Sequence, residues 1–210
     1  MRENFEIKGL FYQIDNLKCR KYLNIKKKET ELQIPDLMIV MMNPGNSKPI
    51  NGLDDYNKET EAIPDNTQDQ IMKVMTNCGF EYARILNLSD ARETSSEKFY
   101  KKILEFKSKK IEHSIFSNNR KDDLEKYLVK NIKTIFAWGV NNALTELAKN
   151  AIGKIEAETI YGSKKENTEF AYYHPLPQYN PEEQKKWVEK ITKQIKTDTE
   201  VSVENQNAKK

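Results

Sequence analysis

Three polar residues stand where an apolar segment stops. Asn43 follows the run Leu37–Met42 in "LMIVMMNPGNS", Asn87 closes "YARILN", and His174 follows "FAYY" and precedes Pro175. Amides and an imidazole carry the donors and acceptors that grip a ligand, and in an open α/β sheet ligands sit at the carboxyl ends of the strands. The three residues would meet there if their strands are parallel and adjacent. Each also has a plainer reading. Asn43 could bond only its own Asn-Pro turn, Asn87 could be a strand-end turn residue, and His174 could be a packed histidine bonded to a carbonyl. The other histidine, His113, lies in a lysine-rich stretch and reads as a solvated surface residue.

The elements that must position these residues alternate between strand and helix. "FEIKGLFYQI" and "CRKYLNIKK" read as the strands of an N-terminal hairpin. "LMIVMM" reads as a strand covered on both faces, which Pro44 and Gly45 end in a sharp turn and a long loop. Ile71, Val74, Met75 and Cys78 keep helical spacing up to Gly79. "YARILNL" is the next strand, followed by helices over 96–109 and 121–130. "KTIFAWG" is a strand, "NNALTELAKNAIG" a helix, and 155–161 and 168–173 are two more strands. Asn180 caps a final helix that opens on Pro181 and carries the stripe Trp187, Val188, Ile191 and Ile195. The alternation predicts one α/β domain over residues 1–196, a three-layer α/β/α sandwich with a central, mostly parallel sheet. Residues 1–35 form a hairpin leading into it. The tail 197–210 is poor in large apolar residues and is expected to be disordered.

Composition narrows the chemistry. The net charge of +3 permits contact with phosphates without demanding it. Cys19 and Cys78 have no metal-binding spacing, and two histidines cannot make a histidine triad, so no metal and no cofactor are expected. No apolar run is long enough to span a membrane, and the N-terminus lacks a signal-peptide pattern. A cytoplasmic monomer is the expectation.

Taken together, "MMNPGNS", Tyr56 thirteen residues after Asn43, "ILNL", "FAWGVNNA" and "HPLPQYNPEEQKKW" resemble the motif order of the uracil-DNA glycosylase superfamily. The wording is nearest to its single-strand-selective and mismatch-specific branches. From residue 19 to 195 the chain more closely resembles the bacterial and phage domain-of-unknown-function family numbered 1643. That family shares the NP turn, "DNT" at Asp65–Thr67, and the NL, WG and HPL motifs. The resemblance implies a uracil-DNA glycosylase-like fold and a base-excision activity that flips a base out of DNA and hydrolyses its bond to the sugar.

By the resemblance, Asn43 positions the attacking water and His174 donates to the departing base. Met42, Pro44, Gly45, Tyr56, Asn87 and Pro175 line the base site, with Tyr56 stacking and Asn87 reading the pyrimidine edge. Lys48, Arg92, Pro177 and Tyr179 face DNA, whether single-stranded or a duplex with a damaged base. Asn43 stands where the fastest branch has a carboxylate, which implies slower hydrolysis. Two other readings compete with this one. A non-catalytic binder of nucleic acid or of a nucleotide would keep the cleft without the water. A mobile-element interaction protein would show an exposed apolar patch.

Overall fold

The computed structural model describes residues 1–54, 58–176 and 180–207, with side chains through Val201. The chain opens with β1 (Phe5–Ile14) and β2 (Leu17–Lys27), an antiparallel hairpin joined by Asp15 and Asn16. Next come β3 (Leu37–Met41), β4 (Thr60–Glu61), helix α1 (Asn66–Cys78) and β5 (Tyr82–Asn87). Helices α2 (Ser96–Lys109) and α3 (Lys121–Tyr127) lead to β6 (Thr134–Ala137), α4 (Thr145–Ile152), β7 (Ile160–Tyr161) and α5 (Pro181–Asn207).

The strands form one seven-stranded sheet in the order β4-β1-β2-β5-β3-β6-β7. The expected mostly parallel sheet is instead mixed. β5, β3, β6 and β7 run parallel, while β4, β1 and β2 pair antiparallel along the other half. The physical reason lies in the hairpin, which does not merely lead into the domain. β2 pairs with β5, and strands joined by a two-residue turn can only be antiparallel. A further difference is that 168–173 forms no strand. Tyr172 makes single bridges to Gly139 and Lys164.

The continuous apolar run of β3 has the cause expected of it. Leu37, Ile39 and Met41 join a core with Ile71, Val74 and Met75 of α1 and Trp187, Val188, Ile191 and Ile195 of α5. Met38 and Val40 join a second core with Phe99 and Phe106 of α2, Leu124 of α3, and Leu147 and Ala148 of α4. Helices thus cover both faces of the sheet. Each of the buried Val, Leu, Ile, Met and Phe side chains contributes roughly 1.5–3 kcal/mol by leaving water. Helix α1 starts on a capping box in which Asp65 accepts from Thr67 and Gln68, and it ends at Gly79 in the left-handed region. Helix α5 does not stop at residue 196. Its backbone continues to Asn207, anchored by Asp198 accepting from the Tyr161 hydroxyl at 2.6 Å and Thr199 accepting from Lys133. No helix is long and apolar enough to cross a membrane, among the described residues.

Candidate functional site

The register of the parallel strands builds one edge. Asn87, the last residue of β5, lies opposite Met41, the last of β3, and Met41 in turn lies opposite Ala137, the last of β6. Pairing continues beyond the strands, because Leu88 N–H donates to Met41 O and Ser89 N–H to Met42 O. Beyond β6, Gly139 takes a φ of 108° that only glycine adopts freely. Its N–H donates to Tyr172 O at 2.7 Å and brings the segment carrying His174 to the same edge. Asn43, Asn87 and His174 therefore all belong to the carboxyl edge of the parallel half of the sheet.

Asn43 does more than close its own turn. The turn is made by Ser47 N–H donating to Pro44 O, with Gly45 at a φ of 59°. The Asn43 side chain reaches across to the loop after β5, where its Nδ2 donates to Ala91 O at 3.2 Å and Glu93 O at 2.7 Å. Two carbonyl oxygens can be met only by the amide nitrogen, so the orientation is fixed and Oδ1 is the atom left to accept from a ligand or water. Pro44 is buried and Met42 packs half-buried against the second core, so both brace the turn.

Asn87 is wholly buried. Its Oδ1 accepts from Arg20 Nη2 at 2.9 Å, while its Nδ2 has no hydrogen-bond partner among the described residues. His174 is half-buried, and its Nδ1 accepts from Leu176 N–H at 3.1 Å. Lost hydration lowers its imidazolium to about 4, so near neutral pH the ring is neutral with its proton on Nε2. The segment is held in place from α5, where Trp187 Nε1 donates to Tyr173 O, and Pro175 is buried beside the histidine. Trp138, in the "AWG" motif, is a packing residue whose Nε1 donates to Phe170 O at 2.7 Å.

Other expectations change. Lys48 is exposed, as a phosphate contact requires. Arg92 is not at a free rim. Its side chain, 8% exposed, forms an ion pair with Asp54 at 2.9 Å and donates to Ser47 O, so it ties the loop after β3 to the loop after β5. The charge of Arg92 is met by a buried carboxylate rather than by water. His113 is not a surface residue either. It is 8% exposed, its Nδ1 lies 2.7 Å from Ser89 Oγ, and its ring packs on Phe106. Burial lowers it to about 4. The lysine-rich helix ends before it and the chain folds back under the sheet edge, which lysine content alone does not reveal. Tyr56, Pro177 and Tyr179 lie outside the described residues.

Sequence reasoning missed Arg20, Asp90 and Arg120. Asp90 is fully buried, and its Oδ2 accepts from Tyr12 Oη at 2.5 Å and Arg120 Nη1 at 2.6 Å. Burial raises its pKa and Arg120 opposes that rise. Arg20 stands opposite the core residue Phe11, beyond a register shift between Leu10 and Phe11, so the alternation of β2 alone does not reveal that it points inward.

Neither the curated proteins nor the solved structures contain a match to this chain. A sequence model of the family described as "Protein of unknown function (DUF1643)" matches residues 25–176, which span β3 through His174. The chain belongs to the DUF1643 family.

Proposed function

We propose that this sheet edge receives a nucleobase flipped from DNA and hydrolyses its N-glycosidic bond, as a uracil-DNA glycosylase-like protein. On this reading the helices on both faces of the sheet correspond to the three-layer sandwich of that superfamily. The observation that carries the reading is the fixed state of His174, a neutral imidazole whose Nδ1 is occupied and whose Nε2–H is the available donor. As the C1′–N bond breaks, its electron pair goes to the base, and a donor aimed at the base's oxygen stabilises that charge by a few kcal/mol. Asn43 Oδ1 accepts a hydrogen bond from the water whose oxygen bonds to C1′. The proton lost by that water goes to solvent, because an amide orients water without taking its proton. Lys48 would contact a phosphate.

One observation favours a second reading, a binder without catalysis. Uracil's N3–H needs an acceptor, and the Oδ1 of Asn87, which has a second lone pair, is wholly buried beside Arg20 rather than open to a base. The two readings separate when wild type and His174→Ala are compared on uracil-containing oligonucleotides, with binding and base release measured separately. An enzyme loses release while retaining binding. Binding by both proteins with release by neither selects the binder.

A further inference from the structure

Among the described residues of this edge, Arg20 is a buried cation that forms no ion pair. Its residue is 2% exposed, and Nε and Nη1 have no hydrogen-bond partner there. Asp65 caps α1, and Asp90 pairs with Arg120 through Oδ2, while Asp90 Oδ1 is a buried acceptor without a hydrogen-bond partner among the described residues. Both still attract Arg20 through space, while Arg92 repels it. Nη2 is held by Asn87 Oδ1, and the Nδ2 of that amide is also buried without a partner among the described residues. Arg20 and Asn87 thus hold unpartnered donors on two adjacent strands at the carboxyl end of β5. A buried charge or donor without a partner is destabilising, and native proteins satisfy nearly all such groups.

We infer that Arg20 and Asn87 form a subsite for an anionic group, a carboxylate or a phosphate, carried by the ligand of this edge. A neutral imide would meet some donors and leave the guanidinium uncompensated. An oxyanion answers both, because it is acceptor-only and its planar or tetrahedral oxygens suit the guanidinium fork. The donors are closed off from solvent, so an anion must displace neighbouring side chains to reach them, and association will be slower than an open site allows. The inference stands whether or not the edge releases a base.

The test is thermal melting of the full chain in potassium phosphate, potassium acetate and potassium chloride at equal ionic strength, for wild type, Arg20→Met and Asn87→Asp. The expected result is a saturable rise of several degrees for wild type in phosphate or acetate relative to chloride. Phosphate acting alone, or acetate acting alone, identifies the oxyanion. Arg20→Met removes the unpaired charge and Asn87→Asp supplies an internal carboxylate, so both should melt above wild type in chloride and gain nothing from either anion. Identical melting of wild type in all three salts would overturn the inference, as would an equal rise in Arg20→Met. Arg20→Met melting below wild type in chloride would make the guanidinium structural and overturn it as well.

Discussion

The two histidines make the fold acid-sensitive by an amount that can be worked out. Burial lowers His113 from 6.5 to about 4, so the unfolded chain takes up a proton there before the folded chain does. The stability this contributes is therefore fully present above pH 6.5 and is lost as pH falls from 6.5 toward 4. Each pH unit over which only the unfolded chain holds the proton costs about 1.36 kcal/mol, so lowering the pH from 7 to 5 costs about 2 kcal/mol from His113 alone. His174, lowered to about 4 by the same cause but half-buried, adds a comparable or smaller loss. His113→Asn keeps a polar atom near Ser89 Oγ and removes the titration. Urea unfolding of wild type and His113→Asn at pH 7 and pH 5 isolates the effect, because carboxylate contributions cancel in the comparison. The variant should lose about 2 kcal/mol less than wild type over that interval, although losing the ring against Phe106 lowers its stability at both pH values. A proton NMR titration should find neither imidazole titrating near its ordinary value. Equal acid losses in both proteins would mean that folding leaves the proton affinity of His113 unchanged, against everything its burial implies.

Asn43→Asp should destabilise the protein more than Asn43→Ala in urea unfolding. A carboxylate would face the Ala91 and Glu93 carbonyl oxygens, whereas alanine only removes two hydrogen bonds, about 1–2 kcal/mol. Arg92→Met leaves Asp54 buried without its cation and should cost about 3 kcal/mol by the same measurement. Tyr12→Phe removes the hydroxyl's bond to Asp90 Oδ2 and the bond it accepts from Arg120 Nη1, leaves the Asp90–Arg120 pair in place, and should cost about 1–2 kcal/mol. Lys48→Glu should weaken binding to single-stranded DNA and flatten its salt dependence, read by fluorescence anisotropy across a salt series.

What the sequence revealed and what it hid follow from the range of the interactions involved. The both-face burial of β3, the stripe of α5 and the Gly79 stop depend on local periodicity and backbone preference, which a single chain displays. The mixed sheet does not, because nothing in "CRKYLNIKK" says that its partner is β5, more than fifty residues further on. The same limit applied at the site. Asn43 and Asn87 are legible as strand ends, whereas the segment before His174 forms no strand, and the carbonyls that hold Asn43 are 48 and 50 residues away. Arg92 and His113 look exposed in sequence because their composition is polar. Their partners Asp54 and Ser89 are supplied by other loops. The helix past 196 is held by Tyr161 and Lys133, contacts that the low hydrophobicity of the tail conceals.

Whether this sheet edge excises a base is decided by incubating the full chain with single- and double-stranded oligonucleotides containing one uracil, followed by alkaline cleavage at abasic sites. Wild type should yield strand cleavage at the uracil position, and Asn43→Ala and His174→Ala should not. Intact strands on both substrates, with a wild-type protein that is folded by circular dichroism, would contradict base excision at this edge.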